Sequence, residues 1–214
     1  MSSLQVAVRG DLNMNQKETK FSFYSAPVQT VRSNRVMDIK ETYQYITLNQ
    51  KAMDHTRTLR QIISSVREGR AEEKEIGKYK AGNFDLVCFS GTFSYRRDDC
   101  LVSHSNLLCL DFDHVGSRDE LRQLRDRLVA DSNFTTWLAF ISPSGDGLKW
   151  VIGIDTQLCD HLTWFRALQN YIRQTYRLCV DEKCGNVSRC CFLPHDSSCY
   201  VNPSVLSEPD VCPF

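Results

Sequence analysis

Asp111 and Asp113 stand at the end of the apolar run Leu107-Leu108-Cys109-Leu110, with only Phe112 between them. A β-strand turns successive side chains to opposite faces, so acids at this spacing point the same way. Two carboxylates side by side at the end of a buried strand repel each other unless a cation lies between them. Hard oxygen donors of this kind suit Mg2+ or Mn2+. The plainer reading, a strand leaving the core for water, fits the spacing equally well.

Further segments carry candidate chemistry. In Ser142-Pro143-Ser144-Gly145-Asp146-Gly147-Leu148-Lys149, Gly145 and Gly147 let backbone approach a ligand, and exposed N–H groups with Ser142 and Ser144 suit phosphate oxygens. Lys149 adds a point charge for a triphosphate. A tight Asp-Gly hairpin is the structural alternative. Asp181 lies ahead of Ser188-Arg189, where an acid can join the first two as a metal ligand and Arg189 can grip phosphate as a bidentate fork. An ordinary loop acid and a surface cation are the alternatives. Phe93, Tyr95, Arg96 and Arg97 interleave rings with guanidinium groups, as a single-strand groove would through stacking and backbone charge; a solvated turn reads the same. A zinc site from Cys184, Cys190, Cys191, His195 and Cys199 is disfavoured, because the chain has no Cys-x-x-Cys pair and adjacent strand residues face apart.

These groups need elements to hold them. Phe21-Ser22-Phe23-Tyr24 alternates like a strand. Asp38 with Glu41 predicts a capped helix, and Leu59, Ile62, Ile63 and Val66 a second one from about Asp54 to Glu68, stopped by Gly69. A charged stretch at 70–80 precedes a strand at 84–90. Next come a strand at 106–112, a helix opened by the Ser117/Glu120 capping box, strands at 137–141 and 148–154, a helix from Asp160 to about Tyr176, and a strand near 189–193. This order is the ferredoxin-like β-α-β-β-α-β motif, an antiparallel sheet with two helices on one face and the other face free for chemistry. The expected class is α+β: an N-terminal α/β module over 1–100 packed on an RRM-like palm over 101–205, with a tail at 206–214, the whole forming one unit.

The bulk composition narrows the partners. The chain has 214 residues, 42% of them hydrophobic, with 26 basic and 26 acidic side chains. That is enough apolar material for a core, and a zero net charge confines any nucleic-acid site to a local patch. No apolar run approaches the ~20 residues of a membrane span, so a cytoplasmic location without membrane partners is expected. The ten cysteines are read mostly as small buried hydrophobes, Cys88, Cys109, Cys179, Cys190 and Cys191 among them.

Four ordered phrases carry a resemblance: Phe89-Ser90-Gly91-Thr92-Phe93 with Arg97, Leu110-Asp111-Phe112-Asp113-His114, Ser142 to Lys149, and Ser188-Arg189-Cys190-Cys191-Phe192-Leu193-Pro194-His195-Asp196. Together, over roughly 36–205, they resemble the VirE N-terminal-like domain of Bacteroidetes mobile-element proteins, a family grouped with the archaeo-eukaryotic primase (prim-pol) superfamily. The resemblance implies a nucleotidyltransferase that uses two divalent metals, Mg2+ or Mn2+, to join nucleoside triphosphates on a DNA template or primer in mobile-element replication. Asp111, Asp113 and Asp181 would then be metal ligands, Ser144 to Lys149 would hold the incoming phosphates, and Arg189 would assist. The superfamily usually carries a histidine where this chain has Lys149, which binds phosphate but lacks near-neutral titration. The tail reads as a linker toward a helicase domain or protein. Two other classes stay open at this stage: a non-catalytic single-strand-binding module with vestigial acids, and a metal-dependent nuclease on the same carboxylates.

Overall fold

The run at 107–112 does become a strand. In the computed structural model, which describes residues 19–207, β6 (Leu107–Phe112) sends Leu108, Leu110 and Phe112 to one face and Leu107, Cys109 and Asp111 to the other. It lies antiparallel to β8 (Leu148–Gly153), with Asp111 opposite Lys149 and Cys109 opposite Val151. β8 in turn pairs with β7 (Thr136–Ile141), and the edge strand beside β7 is β10 (Tyr200–Val201), which gives the order β10-β7-β8-β6.

Two helices cover one face of this sheet. α4 (Arg118–Val129) starts at the expected Ser117/Glu120 capping box and buries Leu121, Leu124 and Leu128. α5 (His161–Tyr176), capped by Asp160, buries Trp164, Phe165, Leu168 and Ile172. Their stripes meet Trp150, Ile152, Leu108 and Leu110 in one apolar cluster. At ~1.5–3 kcal/mol for each large side chain withdrawn from water, this layer is a principal source of stability.

The opposite face differs from expectation. Instead of standing free, it packs on a second sheet of order β2-β1-β3-β9, built from β1 (Phe21–Tyr24), β2 (Arg35–Met37), β3 (Leu86–Cys88) and β9 (Cys191–Phe192). Phe21, Phe23, Val87 and Phe89 pack there with Leu107, Leu138, Phe140 and Val151. The chain near 189–193 therefore closes the first sheet and not the palm sheet: Val87 is opposite Cys191 and Leu86 opposite Phe192. The end of that face carrying Asp111 and Lys149 borders a cleft instead of the second sheet's apolar side chains.

Helices α1 (Ile39–Leu48), α2 (Gln50–Arg67) and α3 (Glu73–Asn83) flank the first sheet in sequence. The Asp38/Glu41 capping box opens α1, and Asn49 both ends α1 and caps α2. The charged stretch at 70–80 proves largely helical. A hairpin of β4 (Gly91–Phe93) and β5 (Leu101–His104) precedes β6, and the short α6 (Pro203–Leu206) ends the described chain. Asp85 ties these parts together. It is buried and accepts hydrogen bonds from Ala26 N, Tyr45 Oη and Lys51 Nζ. Burial alone would raise its carboxyl, but those three donors hold it below the ordinary carboxylate range. The architecture is α+β with antiparallel sheets. Among the described residues no helix is long and apolar enough to cross a membrane. The expected lead-in at 1–17 and the tail beyond 207 lie outside the described residues.

Candidate active site

A cleft of about 630 Å3 opens where the two sheets part, within the size range of small-molecule sites. Its floor is Asp111, only 8% exposed. Asp111 Oδ2 pairs with the Lys149 ammonium across the strand pair, while Oδ1 is buried with no hydrogen-bond partner. A buried carboxylate oxygen without a partner bears a desolvation cost that a cation or a donor from outside would relieve.

The loop after α5 brings the second acid to the first. Asp181 N–H donates to the Asp111 carbonyl at 2.9 Å, which docks the loop on the end of β6. The Asp181 side chain caps the short 3₁₀ turn Glu182–Gly185, accepting from Lys183 N at 3.0 Å, and its other oxygen accepts from Arg189 Nη2 at 3.2 Å. Cys184 follows on that turn, with its thiol 3.9 Å from Asp181 Oδ2. Donor atoms of Asp111, Asp181 and Cys184 all lie within 4.8 Å of one another. The two carboxylates, one with an unpartnered buried oxygen, are hard donors of the kind a divalent cation takes, whereas the Cys184 sulfur is a soft donor that Mg2+ does not favour. Burial raises the Cys184 thiol to about 11, so it stands protonated at neutral pH. Asp113 stands outside this cluster. β6 ends at Phe112, His114 takes a left-handed φ of 53°, and Asp113 is exposed at the rim of the same cleft.

The walls are basic. Lys80, Arg96, Lys149, Lys183 and Arg189 line the cleft against Asp111, Asp113 and Asp181. Burial depresses the Lys80 ammonium, and the nearby Lys149 charge adds to the effect. Asp113 and Asp146 oppose that shift.

The hairpin between β7 and β8 forms one lip. Ser142 is buried: its N–H meets the Gly147 carbonyl, and its Oγ accepts from Gly147 N. Its main role is therefore to hold the turn, leaving Ser144, half-exposed, on the cleft wall. Gly145 has φ 87°, and a Cβ there would press on Arg60 Nε at 3.1 Å. Gly147 passes so close to Phe112 that a Cβ would sit 2.7 Å from its carbonyl oxygen. Arg60 of α2 steadies the lip through the carbonyls of Ser142 and Pro143.

The aromatic-basic segment divides. Phe93 is 5% exposed and packs with Tyr24 and Leu86, so it presents no ring face to a base. Tyr95 is 39% exposed. Arg97 pairs with Asp99, and Arg96 binds the Val28 carbonyl and lies over the Tyr24 ring while reaching the cleft. Of this group Arg96 joins the site and Tyr95 and Arg97 are surface residues away from its lining. The sequence did not mark Lys80 and Lys183 as cleft residues, and it offered Cys184 only for a zinc site, not beside Asp111 and Asp181. Lys80 lies in a helix with no buried residue and therefore no apolar period; the other two are set by a loop whose docking is a main-chain event. Cys179, expected in an apolar run, is exposed.

No curated protein and no solved structure matches this chain. A family model described as "BT4734-like, N-terminal domain" matches residues 80–201, a span that includes the three cleft acids, the glycine hairpin and Arg189. That is more than half of the 214 residues, and the chain belongs to the BT4734-like N-terminal domain family.

Proposed function

We propose that the cleft is the active site of a primase-polymerase-type nucleotidyltransferase that joins nucleotides on a DNA template in mobile-element replication. The observation that carries this reading is the vacant, buried Oδ1 of Asp111, set within 4.8 Å of Asp181 and Cys184 donors at the floor of a basic cleft. The resemblance to the VirE N-terminal-like and archaeo-eukaryotic primase groups supports the same assignment.

In this reading Asp111 and Asp181 hold the divalent cation, Mg2+ or Mn2+, with Cys184 beside them and Asp113 at the rim. When bound, the metal supplies charge neutralisation and activation of a 3′-hydroxyl. The protein's own residues do the rest. Lys149, paired with Asp111 here, would be free to face the triphosphate were a cation to neutralise that carboxylate. Lys80, Lys183 and Arg189 take phosphate oxygens, Arg189 as a planar fork. The Gly145–Gly147 lip allows a nucleotide to approach the backbone, and Ser144 offers a hydroxyl. Burial of the floor strengthens each of these charge interactions relative to water.

The test is primer extension by the purified chain with Mn2+ and deoxynucleotides. Wild type is expected to extend a primer, and Asp111→Asn and Asp181→Asn to lose at least ~100-fold of that activity. Extension by Asp111→Asn at the wild-type rate would sink the assignment. Loss of primer without added nucleotides would identify a nuclease, and salt-sensitive single-strand binding without any metal-dependent nucleotide uptake would identify a passive binder.

A further inference from the structure

We propose that Cys88 and Cys190 are a peroxide-reactive dithiol that closes to a cross-strand disulfide in the wall of the cleft. Strands β3 and β9 pair with Val87 opposite Cys191, so one step along the ladder Cys88 faces Cys190. Directly opposite residues of antiparallel strands have Cα atoms roughly 4.5–5.5 Å apart, inside the ~4.4–6.8 Å that a disulfide spans. The two sulfurs are 2.8 Å apart, and the single Cys88 S–H can be donated either across that gap or to the Ser188 carbonyl at 3.3 Å.

The two thiols are not equivalent. Cys88 is fully buried, whereas Cys190 is half-buried and lines the cleft beside Arg189. Arg96 Nη1 lies 3.8 Å from Cys190 Sγ. The hydrogen bond from Cys88, with the Arg96 charge behind it, holds the Cys190 thiol below its ordinary range, while burial keeps Cys88 well above. The thiolate is the nucleophile in such chemistry, and its access governs which sulfur reacts. Cys190 is thus the attacking sulfur and Cys88 the resolving one. Neither takes part in the roles given to the cleft acids and cations.

The reaction balances with hydrogen peroxide as oxidant. Cys190 sulfur attacks one peroxide oxygen; an S–O bond forms, the O–O bond breaks, and hydroxide departs to become water. The Cys88 sulfur, its proton lost to solvent, then attacks the sulfenic sulfur. The S–S bond forms, the S–O bond breaks, and the second oxygen leaves as water. Two electrons pass from the sulfur pair to peroxide.

The full chain, reduced and then exposed to hydrogen peroxide, is blocked with an alkylating agent, digested without reductant and mapped by mass spectrometry. The expected product is a peptide containing Cys88 linked to one containing Cys190, lost on adding dithiothreitol. In Cys88→Ser, where resolution is impossible, a dimedone probe is expected to label Cys190 at least ~10-fold more than the exposed Cys179. A first cross-link between other cysteines, Cys109 with Cys191 for instance, overturns the proposal, as does labelling of Cys190 no greater than that of Cys179. The wild-type map decides the matter even if the variant fails to fold.

Discussion

Lys149 occupies the position of a counter-ion. Its ammonium is the sole hydrogen-bond partner of the Asp111 side chain among the described residues, and both side chains are nearly buried. Lys149→Ala leaves the carboxylate unpaired, and breaking such a pair costs about 3 kcal/mol. Because a divalent cation can replace the lost charge, saturating Mn2+ is expected to narrow the gap to wild type. Urea unfolding of both proteins with and without Mn2+ checks this; a gap that Mn2+ leaves unchanged means that Asp111 does not hold the ion. The apposition of Asp111 and Lys149 follows from alternation and strand pairing, both legible from residue order. The arrival of Asp181 was not legible that way, because no periodicity reports a loop docked by its own N–H group. Only its place in a motif pointed to it. The spacing of Asp111 and Asp113 promised a matched pair, but the strand stops between them, and Asp113 is left exposed at the rim of the cleft whose floor is Asp111.

At the scale of elements, the β4–β5 hairpin is tied to the start of α5 by His104 Nε2 and His161 Nδ1, 3.0 Å apart. Burial lowers both imidazoles to about 4, and His104 adds its charge against His161, while Asp98 and Asp160 pull the other way. Between about pH 6.5 and about pH 4 the unfolded chain takes up protons that the folded chain refuses. Stability is therefore fully present above the unfolded value and falls as the pH drops through this window, by at most ~1.4 kcal/mol per pH unit for each ring. Comparing urea midpoints near pH 7 and near pH 5 tests this, and His161→Gln is expected to flatten the difference. Capping boxes at Asp38 and Ser117 marked their helices from sequence because a cap is a local hydrogen-bond pattern. α3 escaped because it buries nothing, and β9 was given to the wrong sheet because alternation in a two-residue strand names a face and not a neighbour.

For the whole molecule, the family match begins at residue 80, yet β3 needs β1 beside it and the palm sheet needs Phe21, Phe23, Met37 and Ile46 on its inner face. Losing four such side chains from the core removes roughly 6–12 kcal/mol, as much as the entire net stability of a typical domain. A fragment of residues 80–201 is expected to lack fixed tertiary structure, and near-ultraviolet circular dichroism against the full chain reads this directly; a native-like spectrum from the fragment would show that the inner face has other means of covering itself. The zero net charge has a parallel meaning: attraction for anions is concentrated in one opening and is screened over ~10 Å at 0.1 M salt. That opening has its two lips on different layers of the molecule. Arg189 leads into β9 of one sheet, whereas Asp111 and Lys149 end strands of the other. A guest that grips both lips works as a clasp between the layers, so occupancy tightens regions far from the point of contact. Slower amide exchange in β1 on adding a nucleotide would record that clasp closing.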